Sequence, residues 1–169
     1  SSAIRSGVLA ARGELVATLD GDGQNNPADL PLLVDTYLKL TRDGPIGMVS
    51  GRRVDRRDRW MKLKASSIGN AIRRFFLRDK AADTGCSLKV FSRERFLRLP
   101  YFDHMHRYLA ALVLREGLPV HFVNVSHRPR LHGSSKYGIL DRALVSVSDL
   151  AGVLWLRRRG SIAKNTEEF

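Results

Sequence analysis

Short apolar runs alternate along the chain with longer stretches in which apolar residues recur at helical spacing. The apolar runs predict strands, and the longer stretches predict helices. The predicted strands are residues 15–19, 46–50, 87–91 and 120–125. The predicted helices are residues 3–12, 27–40, 59–77, 93–97, 104–116 and 139–158, and Asn26 and Ser92 are the expected N-caps of two of them. Because strands and helices alternate, the sequence predicts an α/β fold.

The first predicted strand, residues 15–19, reads LVATL, which is typical of a strand buried in a parallel sheet. It is followed by DGDGQNNP, residues 20–27, which we call the acidic loop and which no regular element tolerates. Ligands of open α/β sheets bind beyond the carboxyl ends of the strands. The acidic loop therefore lies where a functional site is expected.

The acidic loop carries oxygen ligands at close spacing. Asp20 and Asp22 can share one divalent cation, Mg²⁺ or Mn²⁺, and Gln24 adds a neutral oxygen. Gly21 and Gly23 let the backbone fold around an ion and leave room for a phosphate. A metal site that bridges a diphosphate and an acidic surface turn are the two alternatives that these residues leave open.

Composition adds a strongly basic balance. The 169 residues include 29 Lys and Arg against 17 Asp and Glu, a formal net charge of +12. More than a third of the basic residues fall in residues 52–80, which indicates either a solvated helix face or a surface that faces an anion. The single Cys excludes an intramolecular disulfide framework and a four-Cys zinc site. No apolar run reaches the ~20 residues that span a bilayer.

Five sequence blocks follow one another along the chain: AIRSGVLAARGELVATLDGDGQNNP, SGRR, DTGCSLKVFSRE, HMHRYLAALVLREG and HRPRLHGSSKYG. Together they resemble the inverting family 2 glycosyltransferases of GT-A fold, above all the dolichol-phosphate mannosyltransferases and bacterial undecaprenyl-phosphate glycosyltransferases. The resemblance implies a mostly parallel, Rossmann-like sheet flanked by helices. It also implies metal-dependent transfer of a sugar, with inversion, from a UDP- or GDP-sugar to undecaprenyl or dolichyl phosphate.

The resemblance also implies roles for individual residues. The expected metal ligands are Asp20, Asp22 and Gln24, and the expected catalytic residues are Asp22 and Asp83. The residues expected on the donor diphosphate are Asp20, Arg52 and Arg53. The residues expected on the acceptor phosphate are Arg107, Arg128, Arg130, Ser135 and Lys136. The first seven residues of the block that opens with Asp83 end in Lys89, where the family has Arg.

Three segments follow from this comparison. Residues 1–138 are expected to form a partial GT-A catalytic domain, residues 139–159 an amphipathic helix suited to an anionic membrane surface, and residues 160–169 a tail. The family's opening strands and its base-binding motif have no counterpart before Ser1, so we expect the first strands to be missing and a strand edge to be exposed. We expect a bacterial peripheral enzyme on the cytoplasmic face of the membrane, without nucleic acid as a partner.

Other interpretations of the same residues compete with this one. The basic charge also suits a nucleic-acid-binding domain, and the chain could be an inactive membrane-peripheral fragment of a glycosyltransferase. Asp83 could cap a turn, and Cys86 is expected to be a small buried residue rather than a nucleophile. The pair Phe75 and Phe76 is expected in the core rather than in a lipid slot.

Overall fold

The computed structural model describes residues 1–54, 73, 75–77, 83, 85–128 and 139–159, with side chains from Ser146 onwards in the last range. The helices are α1 (Ser2–Ala10), α2 (Leu30–Asp43), α3 (Arg93–Arg98), α4 (Leu109–Arg115) and α5 (Ile139–Arg159). The strands are β1 (Leu15–Thr18), β2 (Met48–Arg53), β3 (Lys89–Ser92) and β4 (Val120–Val125). Short 3₁₀ turns, Pro27–Asp29 and Met105–Arg107, precede α2 and α4. Arg73 and residues 75–77 are also helical.

The four described strands form one mixed sheet in the order β1-β3-β2-β4. β3 is antiparallel to both of its neighbours, whereas β2 and β4 are parallel and pair from Met48–Val120 to Arg53–Val125. Three of these strands therefore run in one direction and β3 runs in the other. The predicted α/β sheet flanked by helices is confirmed, with one reversed strand inside it.

The prediction of a buried parallel β1 is wrong in both respects. β1 pairs antiparallel with β3, with Thr18 opposite Lys89, and it is the outer strand of the described sheet. Within β1, Ala17 is exposed and the other residues are half-buried. Leu19, just after β1, is also exposed. An apolar run cannot reveal which strand lies beside it, because the pairing joins residues about 70 positions apart along the chain.

Both faces of the sheet are covered by helices. Successive residues of a strand point to opposite faces, so Met48 contributes to one core cluster with α1, α3 and α4, and Val49 contributes to another with α2. The rings of Phe91 and Phe96 stack at 4.8 Å in the first cluster. In the second, burial raises the pKa of Tyr37, whose hydroxyl donates a hydrogen bond to the Ile46 carbonyl at 3.3 Å.

Two predicted helix starts have the expected side-chain caps. The Asn26 side chain accepts a hydrogen bond from the Ala28 amide at 3.3 Å, just before Pro27. The Ser92 hydroxyl accepts one from the Arg95 amide at 3.5 Å, at the start of α3. Each bond satisfies a backbone donor that the first helical turn leaves unpaired.

A third core cluster joins α5 to α4 through Leu77, Tyr108, Ala111 and Val153. Leu77 is fully buried, whereas Phe75 is 77% exposed and Phe76 is 49% exposed, so the prediction of a core Phe pair is wrong. Adjacent residues of a helix point in directions ~100° apart, so Leu77 and both Phe rings cannot share one face. No helix within the described ranges is long and apolar enough to cross a membrane.

Candidate active site

Several of the predicted site residues lie at one edge of the sheet. β1, β2 and β4 run in the same direction and end at this edge, whereas the reversed strand β3 starts there. The acidic loop follows β1, Arg52 and Arg53 end β2, and residues 126–128 follow β4. Residues 83 and 85–88 lead into β3. The edge therefore combines three segments that leave the sheet and one that enters it.

The acidic loop presents its carboxylates to solvent. Asp20 is exposed, and Asp22 and Gln24 are half-buried. The Gln24 backbone amide donates to Asp22 Oδ1 at 3.1 Å, which orients one carboxylate within the loop. Gly23 has φ of 75°, a left-handed conformation that suits Gly because a Cβ would be strained there. The loop therefore turns sharply and keeps oxygen atoms accessible.

Asp83 and Arg53 form a bidentate ion pair beside the loop. Arg53 Nε lies 2.7 Å from Asp83 Oδ2 and Nη2 lies 2.8 Å from Oδ1, while the Arg53 amide also donates to Oδ2 at 3.3 Å. The two side chains are only 15% and 7% exposed. A Cβ at position 85 would lie 3.0 Å from Arg53 Nη2, so Gly85 leaves room for the pair. The sequence predicted both residues in the site but not their pairing.

Arg52 is held differently from its neighbour. Its Nε and Nη2 donate to the Asn124 side-chain oxygen at 2.9 and 2.7 Å, and the residue is exposed. Asn124 is neutral, so this contact does not neutralise the charge of Arg52. A guanidinium has five N–H donors, and the Asn124 contact uses only those of Nε and Nη2.

Lys89 is a buried lysine at the start of β3 that the sequence did not single out as functional. It pairs with Thr18 on one side and Ser50 on the other, and its Nζ donates to the Cys86 carbonyl. Burial lowers the pKa of Lys89, and the Cys86 thiol and the Asp20 and Asp83 carboxylates act in the opposite direction. Lys89 therefore lies within electrostatic range of two predicted site carboxylates. Its only sequence signal was its place as the seventh residue of the block that Asp83 opens, where the family has Arg.

Cys86 is buried, as expected for a small packing residue. Burial raises the pKa of its thiol, which makes it a weaker nucleophile at neutral pH. A Cβ at position 51 would lie 2.9 Å from Cys86 Sγ, so Gly51 allows β2 to approach the segment before β3 closely.

The segment after β4 is attached to the acidic loop. The Arg128 backbone amide donates to the Gln24 backbone carbonyl at 2.9 Å, and Arg128 Nη2 donates to the Asn26 side-chain oxygen at 3.0 Å. Nearby, the Ser126 amide and hydroxyl both donate to Asp29 Oδ2. The structure thus brings Arg128 to the loop. The other residues predicted beyond it, Arg130, Ser135 and Lys136, lie outside the described residues.

Arg107 contacts α5 rather than the acidic loop. Its Nη1 donates to the Ser146 hydroxyl at 3.4 Å, and the neighbouring Tyr108 hydroxyl donates to the Ser146 carbonyl at 3.0 Å. Burial, with the positive charge of Arg107, lowers the pKa of His106 to about 4. His106 is therefore neutral at neutral pH, and Arg107 carries the charge of this pair.

The sequence profile of the family described as "Glycosyl transferase family 2" matches residues 1–99, more than half of the chain. The chain belongs to glycosyl transferase family 2. The matched residues include the acidic loop, the arginine pair at the end of β2, and Asp83.

Curated relatives of this family 2 chain act on lipid phosphates, according to their names. The chain is 32% identical over 161 residues to the dodecaprenyl-phosphate galacturonate synthase of Rhizobium johnstonii, and the match covers 94% of this chain and 46% of that protein. It is 30% identical over 139 residues to the undecaprenyl-phosphate 4-deoxy-4-formamido-L-arabinose transferase of Edwardsiella ictaluri, covering 82% of this chain and 41% of that protein. The chain thus spans less than half the length of these relatives.

Solved structures agree on the fold. The glucosyl-3-phosphoglycerate synthase of Mycobacterium tuberculosis with Mn²⁺, UDP and glucosyl-3-phosphoglycerate superposes with a TM-score of 0.63 at 17% identity, over 96% of this chain and 55% of that chain. The same enzyme with Mg²⁺ and UDP gives 0.60 at 20% identity, over 96% and 55%. At such identities the likeness concerns the fold alone, and it confirms the predicted GT-A fold of this family 2 chain.

Proposed function

We propose that this chain is the catalytic region of an enzyme that transfers a sugar, with inversion, from a UDP- or GDP-sugar to a polyprenyl phosphate. The observation that carries the proposal is the edge of the sheet. There, the two carboxylates of the acidic loop, one exposed and one half-buried, lie at the same edge as Arg52 and Arg128. This combination suits a metal-bound diphosphate beside a second phosphate. The names of the two relatives, both acting on polyprenyl phosphates, support the same acceptor class.

The residues of the acidic loop fit a divalent cation. Asp20, Asp22 and Gln24 would hold Mg²⁺ or Mn²⁺ through oxygen atoms, which both ions prefer. Within the described ranges, no three His, Cys, Asp or Glu side chains come together as a metal site. The proposed site therefore combines two carboxylates with the side-chain amide oxygen of Gln24. This small ligand set leaves coordination positions for a diphosphate. When bound, the ion would stabilise the negative charge of the leaving nucleoside diphosphate.

The chain's own residues would position the two reactants. Arg52 is the basic residue we assign to the donor diphosphate, because Asn124 orients its guanidinium without neutralising it. We assign Asp83 to positioning Arg53 beside the reacting sugar, since the two side chains are joined at 2.7 and 2.8 Å. A phosphate monoester is already anionic near neutral pH, so its oxygen can attack the anomeric carbon without a strong base.

The acceptor phosphate would be bound by basic residues. Arg128 is attached to the acidic loop through Gln24 and Asn26, and it is the described residue that we assign to this role. Arg107, which contacts Ser146 on α5, stays a prediction for the same phosphate. Arg130, Ser135 and Lys136 stay predictions for the same phosphate. Arg is suited to this task because its planar guanidinium can make two parallel hydrogen bonds to a phosphate.

The exposed side of α5 supports a membrane-surface location. Val147, Ala151 and Trp155 are four residues apart, lie on one helix face and are exposed, with Val147 at 68% and Trp155 at 59%. Arg158 and Arg159 follow at the exposed end of this face. An uncharged face with an aromatic ring and a basic end suits an anionic leaflet. We propose that the enzyme is bacterial and peripheral on the cytoplasmic face of the membrane.

Transfer is tested with radiolabelled UDP- and GDP-sugars, undecaprenyl phosphate and Mn²⁺, in the protein at the full length of its relatives. We expect Asp22→Asn to abolish transfer and to weaken Mn²⁺-dependent binding of UDP or GDP to the chain, measured by calorimetry. Asp35→Asn, which changes an exposed acid on α2, is the matched control and should leave both unchanged. Full activity of Asp22→Asn contradicts the metal site. Salt-sensitive binding of DNA without any binding of nucleotide contradicts the proposed function.

A further inference from the structure

One hydroxyl group contacts both ends of the ligand-bearing part of the acidic loop. Ser87 lies just before β3, and its Oγ accepts a hydrogen bond from the Asp20 amide at 3.0 Å. The same Oγ accepts a second hydrogen bond from Asn25 Nδ2 at 2.6 Å. Residues 20–25 are therefore closed into a ring through a single side chain that lies about 60 positions further along the sequence.

The partners of Ser87 are themselves held in place. The Thr18 hydroxyl donates to the Ser87 carbonyl at 2.5 Å, which joins the end of β1 to the same residue. Asn25 is 6% exposed, and its backbone forms an antiparallel bridge with His127. Asn25 Oδ1 is buried, and no residue of the described ranges gives it a hydrogen bond. Burying an unpaired amide oxygen is unfavourable, so the Asn25–Ser87 hydrogen bond forms although it leaves Asn25 Oδ1 buried without a donor in the described ranges.

The closure acts on a segment that would otherwise be loose. Asp20, Asp22 and Gln24, the proposed metal ligands, lie at or between the two points that Ser87 holds. Gly21 and Gly23 separate them, and Gly has more backbone freedom to lose than any other residue. Without the closure, binding a cation would require ordering the whole segment at that moment.

We propose that Ser87 is a positioning residue that closes the acidic loop and thereby prearranges its oxygen atoms for a divalent cation. The role rests on the proposed metal function of the loop. Ser87 touches neither the ion nor the sugar in this proposal; it acts through the Asp20 backbone and the Asn25 side chain. Partners of this kind, one step removed from a metal, typically change its affinity by about 10- to 100-fold when they are lost.

The first test measures Mn²⁺ binding to the chain, from the loss of the free Mn²⁺ signal in electron paramagnetic resonance. Ser87→Ala removes the hydroxyl, and we expect it to weaken Mn²⁺ binding by about tenfold or more. Ser87→Thr keeps the hydroxyl and should retain the wild-type affinity. Ser92→Ala is the matched control, because it removes a hydroxyl from the opposite end of β3. Equal Mn²⁺ affinity in wild type and Ser87→Ala overturns the proposal.

The second test does not require a metal. Amide hydrogen exchange at Asp20, measured by NMR without added cation, should be slow in wild type and in Ser87→Thr, and at least about tenfold faster in Ser87→Ala. If the wild type fails to bind Mn²⁺, the proposed metal site fails, and slow exchange that depends on Ser87 still identifies the closure. Asp20 exchange that is unchanged by Ser87→Ala overturns the closure itself.

Discussion

The ion pair of Arg53 and Asp83 makes the stability of the domain sensitive to one carboxylate. Asp83→Asn keeps the size of the side chain and removes its charge. The Arg53 guanidinium then stays at the same place, where its side chain is 15% exposed, and loses the charge of Asp83. Desolvating a charge is costly, and removing its counter-charge leaves that cost uncompensated. We therefore expect Asp83→Asn to lower the free energy of unfolding.

The geometry sets the size of this loss. Two N–H donors lie 2.7 and 2.8 Å from the two carboxylate oxygens, and the Asp83 side chain is 7% exposed. Breaking a buried pair of this type typically costs about 3–5 kcal/mol. Asn retains one hydrogen-bond acceptor, so we expect the lower end, about 3 kcal/mol. Replacing both partners by apolar residues of similar size, as in Arg53→Met with Asp83→Leu, should restore part of the loss.

The assay is urea unfolding followed by far-ultraviolet circular dichroism. Glu94→Gln is the matched control, since it breaks the Arg98–Glu94 pair on α3, whose side chains are 74% and 72% exposed. An exposed pair of this kind contributes less than about 1 kcal/mol. If Asp83→Asn lowers the free energy of unfolding no more than Glu94→Gln does, the Arg53–Asp83 pair does not hold the edge of the sheet together, and the reasoning is refuted.

Three further results follow from the structure. The pKa of His106 is lowered to about 4 from its unfolded value of 6.5. His106 therefore makes its full contribution to the free energy of unfolding above pH 6.5, and this contribution decreases as the pH falls toward 4. His106→Gln should reduce this pH dependence, measured by urea unfolding. Gly51→Ala, whose Cβ would lie 2.9 Å from Cys86 Sγ, should lower the melting temperature because it forces β2 away. Trp155→Ala should weaken sedimentation with anionic vesicles, whereas equal binding would contradict a membrane contact.

Elements whose signals are local could be predicted from the sequence. β4 was predicted at residues 120–125 and is observed at Val120–Val125, because its apolar run is bounded by polar residues and turns. The caps at Asn26 and Ser92 were also predicted, since an N-cap needs only one suitable side chain at the right place. The acidic loop could be singled out for the same reason, because Asp20, Asp22 and Gln24 lie close together in the sequence.

Features that join distant residues could not be predicted. Arg53 and Asp83 lie 30 positions apart, and nothing in either segment indicates that their side chains meet. Ser87 is an unremarked residue of its block until the fold brings Asp20 and Asn25 to its hydroxyl. The burial of Lys89 depends on its place between β1 and β2. Such contacts are decided by strand order, which hydrophobic periodicity does not encode.

The position of β3 has a consequence for the order of folding. β1 and β2 are not neighbours in the described sheet, because β3 lies between them and pairs with both. A growing polypeptide that has reached only residue 54 therefore contains β1 and β2 but not β3, the strand that pairs with both. Long-range pairing of this kind slows folding, because a long loop must close before any contact rewards it. The acidic loop would thus form late, only after residue 92 has emerged, together with the sheet.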